Sequence, residues 1–275
     1  MTASFNYSVV IPTYNRPKSL VRAINSVFNQ TLRPKKIIVV DDGSTQEEFD
    51  AAYEIDKFSG VTFERLPENC GVSRARNVGI AISNSEFVLF LDDDDCWSPN
   101  HAECLYHSFK QGYMAVVSMS NRQRPDIGYR LADPSDQFRS MAFRTFIDTV
   151  SCFGVRSEGL QKVKGFNEDL RIVQDLELYL RLLTYSDIGL IREQTVCRST
   201  QSESLTRNRI HWATELLDVL PFLSRKCSMS PAQTNALRLG IVRRIHKLLS
   251  KHTREECATM LSEALAASGE DYAAS

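Results

Sequence analysis

The chain of 275 residues has no apolar stretch near the ~20 residues that a membrane-spanning helix needs. It has almost no net charge: 33 Lys and Arg stand against 34 Asp and Glu, giving −1. A near-neutral chain has no overall bias toward nucleic acid or an acidic surface, so any such preference must be local. The seven cysteines, at 70, 96, 104, 152, 197, 227 and 257, are odd in number and never spaced as CxxC. That pattern excludes a regular disulfide framework and suits a reducing compartment. The opening MTASFNYSVVIPTYN lacks a basic segment followed by a long apolar run, so no secretory signal is expected. The expected location is cytoplasmic, at most peripheral on the inner face of a membrane. There is no internal repeat and no low-complexity segment.

What is present is alternation. YSVVIP (7–12), KKIIVVDDGS (35–44), VTFERL (61–66) and EFVLFLDDDD (86–95) read as strands, three of them continuous apolar runs. RPKSLVRAINSVFNQT (16–31) places Leu20, Ala23, Ile24, Val27 and Phe28 on one helical face, with Pro17 in the first turn. SRARNVGIAISN (73–84) reads as a second helix. Such alternation predicts an α/β fold with a mostly parallel, Rossmann-like sheet covered on both faces. Ligands of these sheets bind beyond the carboxyl ends of the strands, and the acid clusters at 41–42 and 92–95 fall there. HAECLYHSFKQG is expected to be a helix capped by Ser98, with Pro99 at its first position. A polar, Arg-rich stretch (121–139) follows. In GFNEDLRIVQDLELYLRLL (165–183), Leu176, Leu180 and Leu183 mark a buried helix face starting near Asp175. The C-terminal segment reads as helical. SPAQTNALRLGIVRRIHKLLSKH carries Leu237, Ile241, Val242, Ile245, Leu248 and Leu249 as its apolar set.

Four consecutive aspartates, 92–95, at the mouth of a buried strand are unfavourable unless positive charge sits there. A hard divalent cation with room for substrate phosphates would supply it. Strand alternation puts Asp92 and Asp94 on one side and Asp93 on the other. A solvated acidic loop, with Asp95 capping the next helix, accounts for the run equally well. VVDDGS fits either a plain strand-to-turn ending or a carboxylate facing a nucleobase. Arg74 and Arg76 open a helix after a glycine, which suits a phosphate or base edge as well as a solvated face. Asp175 at a helix start is compatible with a favourable N-terminal charge or with catalysis. Cys96, His101, Cys104 and His107 are close in sequence, but helical geometry spreads the last three over two faces, against structural zinc.

Taken in order, SVVIPTYNRPKSLVRAINSVFNQT, IIVVDDGST, GVSRARNVGI, FLDDDDCWSP and GFNEDLRIVQDLELYLRL resemble the family 2 glycosyltransferases of the GT-A fold over about residues 7–206. The resemblance implies inversion at the anomeric carbon, a UDP- or dTDP-sugar donor and a divalent Mn2+ or Mg2+ ion. It implies that Pro12, Thr13 and Tyr14 line the nucleotide and that Asp42 binds the uracil ring. Arg74 or Arg76 would lie beside that base. Asp94 would hold the metal, Asp92 or Asp93 would touch the ribose, and Asp175 would be the catalytic base. Two departures stand out: the usual Glu-Asp before the base helix is Gln174-Asp175, and no histidine lies between His107 and His211, where Gln201 stands instead. The processive QxxRW signature is absent, so transfer of single sugars is expected, in bacterial lipopolysaccharide, capsule or other surface polysaccharide synthesis.

The expected organisation is a catalytic domain over 1–206, with a nucleotide half to about residue 100 and an acceptor half beyond it. A helical extension over 207–275 would follow. The partners implied are the sugar donor and a glycan or lipid-linked acceptor, with no nucleic acid. The C-terminal helices fit a cap that packs on the catalytic domain or on a second subunit. They also fit a basic surface, Arg238–Arg254 without one acidic residue, against anionic lipid. A sugar nucleotidyltransferase would need a glycine-rich loop where PTYNRPKSL stands, and a non-catalytic binder would have no need of Asp175.

Overall fold

The computed structural model describes residues 5–53, 60–123, 136–143, 145–199, 215–217, 219, 222–223 and 226–249. The chain forms two compact units that are not linear in sequence. The first comprises Met1–Arg130, Ile147–Glu168 and Ser186–Ser202; the second comprises Leu131–Phe146, Asp169–Tyr185 and Glu203–Ser275. Two stretches inside the first 206 residues thus belong with the C-terminal segment.

The first unit is built on one eight-stranded sheet. Its strands are β1 (Tyr7–Thr13), β2 (Lys36–Asp41), β3 (Val61–Arg65), β4 (Phe87–Phe90), β5 (Cys96–Trp97), β6 (Ala115–Ser120), β7 (Phe153–Arg156) and β8 (Ile188–Cys197). Their order is β3-β2-β1-β4-β7-β6-β8-β5. The first four are parallel, with Val9 opposite both Ile37 and Leu89. Beyond β4 the sheet is mixed: β7 runs antiparallel to β4 and β6, β6 is parallel to β8, and β5 is antiparallel to β8. Every residue of β1 and β4 is buried, as expected of strands covered on both faces. The ladder from β1 to β4 ends where Leu91 N–H donates to Val10 O (3.1 Å). Pro12, with no N–H to give, cannot extend it.

Helix α1 (Pro17–Phe28) buries Leu20, Ala23, Ile24 and Val27, the face its spacing predicts. Helices α2 (Gln46–Tyr53) and α3 (Val72–Ile82) follow β2 and β3. Helix α4 (His101–Phe109) starts later than its sequence signals suggest. The Ser98 N–H donates to Thr195 O at 2.8 Å, which holds Ser98 extended beside β8 and leaves Asn100 at the cap. Between β6 and β7 the chain enters a short 3-10 turn, Val150–Cys152.

In the second unit the described helices are α5 (Gln137–Phe143), α7 (Gln174–Leu183) and α8 (Pro231–Leu249), α6 (Ser157–Val163) belonging to the first. Helix α8 meets α5 through Gly240, where a Cβ would lie 2.4 Å from Ala142 O. Arg244 donates from Nε to Ala142 O (2.9 Å) and from Nη2 to Met141 O (2.6 Å), satisfying carbonyls at the α5 C-terminus. Burial pulls the Arg244 pKa down to about 10. This close approach turns Ala236, Leu237, Gly240 and Ile241 inward. Val242, expected on the apolar face, is 64% exposed and Leu239 51%. Of the expected basic surface, Arg244 is thus spent on α5 and Arg243 lies 5.8 Å from the Phe143 ring; residues 251–254 fall outside the described residues. No helix among the described residues is long and apolar enough to cross a membrane.

Candidate functional site

The carboxyl ends of β1, β2 and β4 deliver Thr13, Asp41–Asp42 and Asp92–Asp95 to one edge of the parallel sheet. Residues 92–95 form a turn closed by Asp95 N–H donating to Asp92 O (3.1 Å). Exposure alternates along it. Asp93 and Asp95 are buried at 5% and 3%, while Asp92 and Asp94 are half-exposed. The side chains do not part to opposite sides as strand alternation predicts, because the turn brings Asp93 and Asp94 to one Arg16 nitrogen and Asp92 and Asp95 to one Thr149 hydroxyl.

Each buried aspartate is held by neighbours distant in sequence. Thr13 Oγ1 donates to Asp93 Oδ2 at 2.8 Å, and Arg16 Nη1 reaches Asp93 and Asp94, each at 3.3 Å. Ser151 Oγ and Thr149 Oγ1 donate to Asp95 Oδ2 at 2.7 and 3.1 Å. The Ser199 N–H reaches its Oδ1 at 3.4 Å. Asp92 accepts from Arg76 Nη2 at 2.8 Å, and the Asp92 N–H donates to Ser151 Oγ at 3.0 Å. Arg198 pairs with Asp148 at 3.2 Å. Burial works against its charge, but Asp148, Asp95 and Asp92 hold its pKa above the usual arginine value.

Three carboxyls of the turn keep raised pKa values beside these cations. Burial raises the Asp93 pKa to about 6, against the pull of Thr13 and Arg16. Burial, then the charge of Asp92, raises Asp95 to about 6. Asp94 is raised by burial and by Asp92. Burial is the leading cause of all three shifts, and a cation beside these carboxyls would favour their charged forms.

The second cluster is more closed. Asp41 accepts from Ser44 N–H and Oγ and pairs with Arg65 at 3.4 Å. Asp42, expected to face a base, is 4% exposed, and its two oxygens accept the Cys70 and Gly71 N–H groups, both at 2.8 Å. It ties the loop before α3 to the end of β2. Gly43 makes the intervening turn with φ +73°, and a Cβ there would meet Glu68 backbone at 2.4 Å. Asn15, at φ 53°, links the loop after β1 to this one through Ser44 Oγ (2.8 Å) and Thr45 N–H (2.9 Å). Pro12 and Thr13 are buried in β1, and Tyr14 is 44% exposed at its end.

The two arginines left open by the sequence part company. Arg76 is buried against Asp92, with its guanidinium 5.1 Å from the Phe166 ring. Arg74 is at the surface and pairs with Glu168 at 3.3 Å. Asp175 lies in the first turn of α7, in the second unit, and is half-buried. The segment entering that helix is clamped by Glu215, whose carboxylate accepts the N–H groups of Arg171 (2.6 Å), Ile172 (2.6 Å) and Val173 (2.9 Å). Sequence spacing did not reveal Arg16, Thr149, Ser151, Arg198 or Glu215. Arg16 had a signal in its nearness to Thr13 and Tyr14. The others act on residues 42 to 59 positions away, across contacts that no local pattern records.

No group of three or more His, Cys, Asp or Glu converges as a metal cage among the described residues. The donor chemistry at Asp94 still fits a hard cation, with a half-buried carboxylate raised in pKa by burial and then by the charge of Asp92. Mg2+-like sites use one or two carboxylates and take the remaining oxygens from phosphates and water. The position of Gln201 lies outside the described residues. His101 is no ligand candidate. It is fully buried, stacks on Trp97 at 4.2 Å and bonds Thr195 Oγ1 at 2.8 Å, and burial lowers its pKa to about 3.

The model of the family described as glycosyl transferase family 2 matches residues 8–163. The chain is 38% identical over 114 residues to poly(ribitol-phosphate) beta-N-acetylglucosaminyltransferase TarP of Staphylococcus aureus (strain N315), covering 40% of this chain and 35% of TarP. The first curated relatives extend well beyond the matched stretch, which covers 16% to 61% of their length. Among solved structures, S. aureus TarS 1-349 in complex with UDP-GlcNAc superposes with a TM-score of 0.71 at 18% identity, covering 95% of this chain and 81% of that one. The mannosyltransferase PcManGT from Pyrobaculum calidifontis, in complex with GDP-Man and Mn2+, gives 0.65 at 18% identity, covering 98% and 82%. The acid turn thus sits on a GT-A sheet, and the chain belongs to glycosyl transferase family 2.

Proposed function

We propose that this glycosyltransferase moves a single sugar, with inversion, from a UDP- or dTDP-sugar to a hydroxyl of a glycan or lipid-linked acceptor. The observation that carries the reading is the acid turn. Four carboxylates stand together beyond the end of β4, Asp93 and Asp95 buried and pinned by Thr13, Ser151 and Thr149, Asp92 and Asp94 half-buried, with Asp94 raised in pKa by burial and by Asp92. The cation of a bound diphosphate would favour their charged forms. TarS with UDP-GlcNAc and PcManGT with GDP-Man and Mn2+ share the fold and support the donor class. The likeness to TarP, a poly(ribitol-phosphate) beta-N-acetylglucosaminyltransferase, supports a bacterial surface polymer as acceptor.

In this reading Thr13 and Arg16 fix Asp93, which sets the turn so that Asp92 and Asp94 face the donor. Asp94 would hold a Mn2+ or Mg2+ ion, which when bound would supply Lewis acidity at the diphosphate, and Asp92 or Asp93 would reach the ribose. Pro12, Thr13 and Tyr14 border the nucleotide. Asp42 shapes the base side through the Cys70–Gly71 loop, and Arg76 rather than the surface Arg74 stands at the acid turn. Asp175 takes the proton of the acceptor hydroxyl as it attacks.

Calorimetry with UDP, dTDP, GDP and CMP, with and without Mn2+, tests this. Metal-dependent binding of UDP or dTDP, abolished by Asp94→Ala in a folded protein, is expected. A folded sample that binds none of the four nucleotides under either condition refutes the donor site.

A further inference from the structure

The short strand β5 begins at the residue after the acid turn, and β8 ends at the residue before Arg198. In their antiparallel pairing Cys96 lies directly opposite Cys197, and Trp97 opposite Val196. Directly opposed residues of an antiparallel pair project to the same face, with Cα atoms about 4.5–5.5 Å apart. A disulfide needs a Cα separation of about 4.4–6.8 Å. The opposite face of this pair, Trp97 and Val196, is buried at 5% and 2%, so the cysteine face is the one that solvent reaches. Cys197 is exposed, Cys96 is half-exposed, and both are free thiols. Burial raises the Cys96 pKa, and the nearby Cys197 adds to that rise.

We propose that Cys96 and Cys197 are a reversible thiol–disulfide site. The co-reactant is a low-molecular-weight disulfide of the glutathione class. The exposed Cys197, as thiolate, attacks one sulfur of that disulfide, forming a mixed disulfide and releasing one thiolate. Cys96 gives up its proton to solvent and attacks the Cys197 sulfur, forming the Cys96–Cys197 bond and releasing the second thiolate. Two electrons pass from the protein thiols to the reagent, and dithiothreitol returns them. The bond ties the chain leaving Asp95 to the chain entering Arg198 and Ser199, whose N–H already reaches Asp95. The pairing contrasts with the scattered thiols of the sequence, since 101 positions separate two cysteines that the sheet sets face to face. The site does not depend on the glycosyltransferase reading.

The test is incubation of the full chain with oxidised glutathione, followed by intact-mass and peptide mapping under non-reducing conditions. The expected product weighs less by two hydrogen atoms and yields a linked peptide containing Cys96 and Cys197. Dithiothreitol reverses it, and neither Cys197→Ser nor Cys96→Ser forms it. Those two variants should instead stop at a glutathione adduct on the remaining cysteine. The proposal is overturned by a stable glutathione adduct in the wild type, by a link joining other cysteines, or by no loss of free thiol at 96 and 197. Circular dichroism of the serine variants separates loss of the bond from loss of the fold.

Discussion

Glu215 offers the clearest quantitative test of how the second unit is held. Its carboxylate gathers three consecutive backbone N–H groups just before α7, at 2.6, 2.6 and 2.9 Å, and is 5% exposed. Hydrogen bonds to a charged group contribute about 1.5–3 kcal/mol each. Glu215→Gln keeps one acceptor oxygen and turns an amide N–H2 toward donors, so one to two bonds and the charge are lost. The expected cost is about 2–4 kcal/mol, below the sum because the three donors lie side by side and water can reach some of them. A loss of that size lowers Tm by roughly 5–15 °C in a domain of this class. Hydrogen exchange should show faster amides at 171–173, with β1 and β2 unchanged. Because Asp175 follows within two residues of that clamp, the donor KM should hold while kcat falls, by up to ~100-fold if the carboxyl shifts by about 1 Å. Unchanged amide protection at 171–173 would refute the clamp. A loosened segment with unchanged kcat would refute the catalytic placement of Asp175 while leaving the clamp intact.

Other consequences follow from the charges. The Asp95 pKa is raised by folding, so the folded state binds more protons than the unfolded chain between about pH 4 and 6, and stability falls as pH rises through that window. Relative to wild type, metal-free Asp95→Asn should therefore gain about 2 kcal/mol on going from pH 4.5 to 7.5, read from urea midpoints; a constant difference would show that Asp95 does not titrate there. Arg74→Ala should change stability by less than ~0.5 kcal/mol, because its pair with Glu168 is exposed, whereas Arg76→Ala should cost roughly 3 kcal/mol for removing a buried guanidinium from Asp92. Equal melts for the two variants would contradict their different burial. Exposed Leu239 and Val242 beside Arg238 should give salt-sensitive binding to anionic vesicles that Val242→Asp weakens; no co-sedimentation at low salt would discard a lipid-facing role for α8.

The parallel half of the sheet was legible because strands buried on both faces must be apolar throughout, and helices covering them must be apolar on one side. β1, β2 and β4 obey the first rule and α1 the second, whereas α3 buries Ser73, Ala75, Arg76 and Gly79. The acid turn was legible for the same reason, since charge at the end of such a strand has no packing role. Less local features were not. The start of α4 is decided by a hydrogen bond from Ser98 to β8, 97 residues away. Helix α7 carries Glu177 and Arg181 within its buried side, paired at 2.5 Å, which a reading of apolar spacing assigns to solvent. Val242 was misplaced because Gly240, through its missing side chain, selects which face of α8 comes close to α5. The partners of Asp95 come from two separate stretches of chain, 149–151 and 199, and each is an ordinary hydroxyl or amide until the fold assembles them.

The seating of α8 on α5 bears on how such a gene can be recombined. The last 70 or so codons look like a detachable cassette, yet the helix they encode fits a surface written about 100 positions earlier, down to the absence of one methyl group at Gly240 and the two carbonyls that Arg244 caps. A crossover between those stretches would deliver a helix cut for a different seat. Exchanges that preserve the seat must carry residues 137–143 and 231–249 together, so chimeras with breakpoints between them should express poorly, while those with both ends from one parent should not.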